Sequence, residues 1–313
     1  MNNTDDPSIS KLPRSPQAVV SDLDIDIEHA RLSFDRAAAE YDQHTWFQQE
    51  IGSRLLERLE VLNPQPQVIV DMGCGTGVHS LELKKRYPKT RVIGIDFSAE
   101  MLTVARQRNR WHRKVEYLQA DMAATGLADA SVDMIFSNLS LQWATDLRQV
   151  FNEFRRILRP GGLLLLSTLG PETLSELRAA WAKVDNHTHV NPFVDIKGVG
   201  DTLMACGFHE PVADAELLTL TYSSVHRLMR ELKGMGAHNV NRQRRHTLTG
   251  ASRIRRMCAA YKEFCLPDGR FPASWEVIYA AAWEPDEGQP IRTEQGEEAS
   301  FSVAHLLSSR GKK

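Results

Sequence analysis

The 313 residues are 42% hydrophobic, enough to bury a substantial core, and the charges nearly balance at a net -2. The cysteines, Cys74, Cys206, Cys258 and Cys265, form no CxxC pair and no metal-ligand spacing, so neither a disulfide scaffold nor a metal site is expected. No run of about 18 apolar residues occurs, and Asp5, Asp6, Pro7 and Pro13 stand where an export signal needs a basic start, which points to the cytoplasm and away from membranes.

Residues 1–28 are polar, acidic and punctuated by Pro and Ser, and are expected to form a poorly ordered arm; residues 284–313, acidic at their start, are expected to form a similar tail. Between them, residues 29–283 read as one domain. After Pro64 and Pro66, the run Gln67 to Asp71 predicts a strand that passes through a glycine-rich turn into a helix reaching Tyr87. The pattern repeats with a strand at Arg91 to Asp96, Ser98 as helix cap, a helix to about Arg110 and a strand at Val115 to Gln119. There follow a strand at Ser131 to Ser137, a helix from about Asp146 to Leu158, a turn at Arg159 to Gly162 and a strand at Leu163 to Ser167. Strands alternating with such helices imply an α/β fold with a mostly parallel sheet covered on both faces. Helices at Pro171 to Asp185 and Gly198 to Cys206 precede strands at Glu216 to Tyr222 and Trp275 to Trp283, which complete seven strands. Between those last two lie helical segments at Val225 to Gly234 and Ser252 to Phe264, too much chain for a turn. Residues 224–270 are therefore expected to be a lid beside a ligand cleft.

Val70 to Gly77 reads V-D-M-G-C-G-T-G where the first strand hands over to a helix. Gly73, Gly75 and Gly77 let the backbone turn tightly and approach a ligand. Asp71 closes that strand and Asp96 closes the next, at the separation where such folds place a ribose ligand. A dinucleotide site would more naturally show G-x-G-x-x-G and a helix N-terminus free for pyrophosphate. The acidic strand end suits a cationic, phosphate-free ligand better.

The segments D-M-G-C-G-T-G, G-I-D-F-S, Q-A-D-M and L-R-P-G-G resemble the successive motifs of class I methyltransferases, whose fold is a doubly wound, Rossmann-like sheet of seven strands. The resemblance implies S-adenosylmethionine as cofactor. It places Asp71, Gly73, Gly75 and Gly77 against the methionine part and Asp96 on the ribose hydroxyls. Phe97 and Met101 would flank the adenine, with Asp121 and Met122 at its edge, and Asn138 would lie below the sulfonium. On the helical segment Phe34 to Asp42, Tyr41 could reach over the cofactor.

That segment, together with Ser137 to Trp143, Leu169 to Trp181, His189 to Phe193 and the L-K-G-M-G-A-H-N stretch at Leu232 to Asn239, resembles the malonyl acyl-carrier-protein O-methyltransferases of biotin synthesis. The likeness runs from about Phe34 to Trp283. It implies methylation of the free carboxylate of malonyl-acyl-carrier protein, or of malonyl-CoA, with Tyr41 and Asn138 at the reacting centre. A carboxylate with a pKa of about 4 is already ionised at neutral pH, so no general base is needed. Other methyltransferases of small molecules or quinones, an arginine-modifying assembly factor and a degenerate binding subunit share the fold and remain alternatives.

From Arg227 to Arg256 nine Lys and Arg residues face a single acid, Glu231. Lys233, Arg242, Arg244, Arg245, Arg253 and Arg256 are the candidates for holding an acidic carrier protein or the malonyl end, with Arg178 and Lys197 behind them. Aromatics are scarce around these arginines, which argues against nucleic acid. His187 and His189 lie close together, but nothing completes a metal site, so structural or solvent roles are expected. Trp143 and Trp181 read as core or pocket wall.

Overall fold

A computed structural model describes residues 25–109, 114–237, 239–242, 244, 249–286, 288–289, 291–293 and 296–298. The chain opens with α1 (Ile27–Ala37), α2 (Tyr41–His44) and α3 (Trp46–Leu62). Then β1 (Val68–Met72), α4 (Val78–Arg86), β2 (Arg91–Asp96), α5 (Ala99–Arg108), β3 (Glu116–Gln119) and β4 (Val132–Asn138) alternate. Next come α6 (Leu147–Ile157), β5 (Leu158–Leu169), α7 (Ser175–Ala182), α8 (Ile196–Ala205) and β6 (His209–Tyr222). The chain continues through α9 (Val225–Gly234), α10 (Ala251–Tyr261), β7 (Phe271–Trp283), and the short β8 (Ile291–Thr293) and β9 (Gly296–Glu298).

The main sheet is seven-stranded in the order β3-β2-β1-β4-β5-β7-β6. Its first five strands are parallel, and β7 runs antiparallel to both β5 and β6. Side chains alternate across a strand, and the central strands are apolar on both faces. On β4, Met134 and Phe136 enter the core shared with α3 and α7, whereas Ile135 enters the core shared with α6 and α8. The strand order reverses between β1 and β4, the point at which open α/β sheets place a binding crevice.

Ser98 caps α5 as expected, its hydroxyl accepting from Met101 N at 3.2 Å. Several boundaries differ from the sequence expectation. The last two strands are longer than the apolar runs suggested. As a sheet edge, β6 alternates exposed and half-buried residues, and Pro211 is tolerated where its pairing with β7 shifts register. The helix expected from Pro171 shrinks to α7 because Leu174 adopts φ +55° and donates its N–H to Ser274 O at 2.7 Å. Helix α8 begins earlier than expected, capped by Asp195 through Gly198 N at 2.7 Å.

The folded body also reaches beyond 29–283. Ile25 is buried and bridges Asn241, and Asp26 N donates to Val240 O at 2.9 Å. Glu284, assigned to the tail, pairs with Arg155 at 3.0 Å, and the β8–β9 pair follows it. Residues 1–24 and 299–313 lie outside the described residues. Among the described residues no helix is long and apolar enough to cross a membrane.

Asp26 does two things at once: it caps α1 through His29 N at 3.1 Å and accepts from Arg244 Nη2, also at 3.1 Å. Asp26→Ala should lower unfolding stability in urea by about 1 kcal/mol, the usual size of an N-cap. Unchanged stability would mean that this clasp is not formed in solution.

Candidate active site

The first cavity lies at the ends of β1, β2 and β4. Gly73 and Gly75 form its floor with φ of +72° and +53°, a conformation that favours glycine, and both line the cavity. The loop is held from below, since Gly73 N and Cys74 N both donate to Ile95 O, at 2.8 and 3.0 Å. Gly77 differs from its motif partners. It is the N-cap of α4 and lies off the cavity wall, and a Cβ there would stand 2.4 Å from the Tyr117 hydroxyl. With φ +78°, the position favours glycine for the turn into α4 as well as for the packing of Tyr117.

Asp71 and Asp96 are buried at 2% and 6% exposure. The Asp96 carboxylate accepts from Gly75 N at 2.8 Å and Ser98 N at 2.9 Å, and Asp71 accepts from the Ser80 hydroxyl. Burial raises Asp96 to about 6 despite those backbone donors. It raises Asp71 to about 7, with Ser80 opposing the rise and the charge of Asp96 adding to it. Asp42 and Asp121 also line this cavity, and no Lys or Arg does so among the described residues. Phe97, Met101 and Met122 supply apolar wall, and Phe34 packs edge-on against Phe97 and Trp143 at 5.8 and 5.0 Å. Asp121 is exposed and holds its own turn through Ala123 N at 2.8 Å.

Tyr41 opens α2 and roofs this cavity. Burial and the nearby Asp96 charge push its phenol well above the ordinary tyrosine range, so it stays protonated. Its neighbour Asp42 fastens α2 to the glycine loop by accepting from Thr76 Oγ1 at 2.7 Å, and to α5 by pairing with Arg108. Asn138 lines the cavity, but both ends of its amide bind within the protein. Its Nδ2 donates to Gln48 O at 2.9 Å, and its Oδ1 accepts from Ser167 Oγ at 2.8 Å. It braces α3 against β4 while standing on the cavity wall.

A second cavity of about 910 Å³ adjoins the first; Phe34, Tyr41, Gln48, Leu139 and Trp143 line both. Its charge is opposite. His29, His189, Arg230, Lys233 and Arg244 line it, with apolar walls from residues such as Trp181 and Trp275, and no Asp or Glu does so among the described residues. Arg230 and Lys233 are exposed and stand at the rim. Arg244 is half-buried and engaged by Asp26 and Asn241 O, so it belongs to the clasp on α1 as much as to the cavity. Arg253 stands 3.9 Å from Asp185, and Arg242 and Arg256 are exposed off the cavity wall. Arg245 lies outside the described residues. Arg178 donates to Thr173 O and Lys197 pairs with Asp201, both away from either cavity wall. The proposed cationic set therefore does not gather at one point; of its members, Lys233 and Arg244 reach the cavity. His189 is part of the wall, bound to Asp185 at 2.7 Å and stacked on Trp181 at 3.8 Å, while His187 is exposed.

Gln48 and His29 also line these cavities and were not singled out from the sequence. A glutamine on an amphipathic helix carries no signal that sets it apart from a solvated one.

Residues 70–166 match the family of the methyltransferase domain. The malonyl-[acyl-carrier protein] O-methyltransferase of Xylella fastidiosa is 46% identical over 279 residues, which span 89% of this chain and 95% of that protein. That of Legionella pneumophila is 38% identical over 275 residues, spanning 88% and 96%. The chain belongs to the malonyl-[acyl-carrier protein] O-methyltransferase family. The fold is shared with the YcgJ protein of Bacillus subtilis, at TM-score 0.54 and 16% identity over 74% of this chain and 98% of that one. As a member of this methyltransferase family, the chain takes S-adenosylmethionine as its methyl donor. The first cavity suits a sulfonium cofactor because its buried carboxylates meet no protein cation among its lining residues, and its floor is glycine.

Folded-state pKa values raised above the ordinary carboxylate value mean that the ligand-free fold gains stability from protons held by Asp71 and Asp96. That stability is present at low pH and is lost as pH rises through about 6 and 7. A cationic ligand needs the ionised forms. Affinity for S-adenosylmethionine, measured by calorimetry, should therefore fall roughly tenfold or more between about pH 7.5 and 5.5. Constant affinity over that range would contradict the assignment.

Proposed function

We propose that this protein transfers a methyl group from S-adenosylmethionine to the free carboxylate of a malonyl thioester carried on acyl carrier protein, the charge-masking step of early biotin synthesis. The observation that carries this is the opposition of charge across one wall: an acidic cavity for a cationic donor meets a basic, apolar-walled cavity for an anionic acyl acceptor. Small-molecule methyltransfer alone would give no reason for the cationic rim.

In this reading Asp96 receives the ribose hydroxyls, and Asp71 with Gly73 and Gly75 surrounds the methionine part. Phe97, Met101 and Met122 enclose the adenine, with Asp121 at its edge. When bound, the cofactor supplies an electrophilic methyl group on its sulfonium. A carboxylate oxygen forms the new C–O bond as the C–S bond breaks and its electron pair stays on sulfur, so no proton moves. The protein's work is alignment and exclusion of water. Tyr41, kept protonated, caps the transfer point without acting as a base. Arg230 and Lys233 at the rim attract an acidic carrier protein and leave the acyl arm to enter the cavity. The free cysteines fit a reducing compartment, and we place the enzyme in the cytoplasm.

Labelled methyl should pass from S-adenosylmethionine to malonyl carrier protein but not to acetyl carrier protein, which has no free carboxylate. Methylation of neither would overturn the proposal. The rim is tested by charge reversal: Arg230→Glu with Lys233→Glu should raise KM for malonyl carrier protein at low salt while leaving cofactor affinity unchanged. Because Arg244 also clasps α1, these two positions report on docking without disturbing the fold. An unchanged KM would place the carrier protein elsewhere.

A further inference from the structure

A methyl group passed between the two cavities must cross the wall they share, and the polar side-chain groups on that wall are few. Phe34 and Leu139 offer only carbon, Trp143 one N–H and Tyr41 one hydroxyl. The remaining shared residue is Gln48, on the first turn of α3. Its backbone is fixed, since Asn138 Nδ2 donates to its carbonyl at 2.9 Å. Its side-chain amide has no comparable partner. Oε1 is shielded from solvent with no hydrogen bond among the described residues, and Nε2 lies 2.9 Å from the sulfur of Met235, a weak acceptor. A buried amide without strong partners is costly unless something else completes it. Half a turn of the amide gives up only the weak contact to the Met235 sulfur and puts an N–H in place of the unpartnered Oε1.

We infer that Gln48 is an acceptor-binding group: its amide N–H holds the non-attacking oxygen of the acceptor carboxylate, so that the other oxygen faces the methyl donor under Tyr41. The inference rests on the carboxylate-methylation reading above and adds the residue that orients the nucleophile. Three features of the site fit this role. Gln48 borders both cavities, its main chain is braced by a strand-end asparagine, and its side chain is neutral. A lysine or arginine here would bind the carboxylate more tightly but would also face the cationic methyl donor, whereas an amide orients the anion without adding charge between the two reactants. Gln142 supports the same wall from the acceptor side, its Nε2 tying down the Leu139 carbonyl at 2.7 Å.

Two variants test this. Gln48→Met keeps the size of the side chain but removes the N–H donors. It should lower kcat on malonyl carrier protein about tenfold to a hundredfold, the range for a hydrogen bond to a charged group, with calorimetric affinity for S-adenosylmethionine within about twofold of wild type. Gln48→Glu places a negative charge against the acceptor carboxylate. In the presence of S-adenosylhomocysteine it should weaken binding of malonyl carrier protein by about tenfold or more, while binding of the neutral methyl-ester product changes by less than about threefold. Wild-type kcat/KM in Gln48→Met, or equal weakening of the charged and neutral acyl forms in Gln48→Glu, would overturn the inference. Failure of the wild-type protein to methylate a malonyl thioester would instead overturn the functional reading, and this inference with it.

Discussion

Two carboxylates that the fold buries without a protein cation set the character of this molecule. Asp71 and Asp96 close neighbouring parallel strands, and the register that pairs Asp71 with Gly94 brings the strand ends together beneath the glycine loop. Backbone N–H groups and one serine hydroxyl soften their burial, yet both remain shifted toward protonation. The fold thus carries an unfavourable charge arrangement, which in the proposed reading a cationic cofactor relieves. Sites of this kind give up some stability so that binding has something to supply.

The rest of the molecule arranges a second cavity beside that acidic cleft. Asp42 pins α2 to the glycine loop, which sets Tyr41 over the cleft, and Asn138 pins α3 to the end of β4, which sets Gln48 beside it. Val240, Asn241 and Arg244, between α9 and α10, are in turn held by Ile25 and Asp26, so the start of the described chain fixes Arg244 on the wall of the second cavity. Elements from both ends of the sequence meet at one wall, and on its two sides the lining charges have opposite sign.

The residues that line the first cavity were legible in the sequence because their determinants are local. Glycines at a strand-to-helix turn and acids at strand ends report backbone geometry directly, and the strand alternation around them fixed the sheet. At Gly77 the motif also meets a packing demand that the sequence does not show, because a Cβ there would strike the Tyr117 hydroxyl. The acceptor side was much less legible. A charge count over Arg227 to Arg256 captured the basic character of the region but could not see that Arg244 is taken by Asp26, 218 residues away. His189 and Gln48 come from a loop and a helix that look like ordinary solvated segments, and only tertiary packing makes them walls of one cavity. The ordered start at Ile25 was missed for the same reason: its partner is Asn241, far along the chain.

In the proposed function the two cavities meet at the point of methyl transfer. A crystal structure with S-adenosylhomocysteine and malonyl carrier protein, or a malonyl thioester analogue, tests it most directly. The terminal carboxylate should lie at the Tyr41 and Gln48 wall, facing the cofactor sulfur, with the thioester end leading out past Arg230 and Lys233. A carboxylate bound at the cationic rim, with the thioester end turned toward the cofactor, would contradict it.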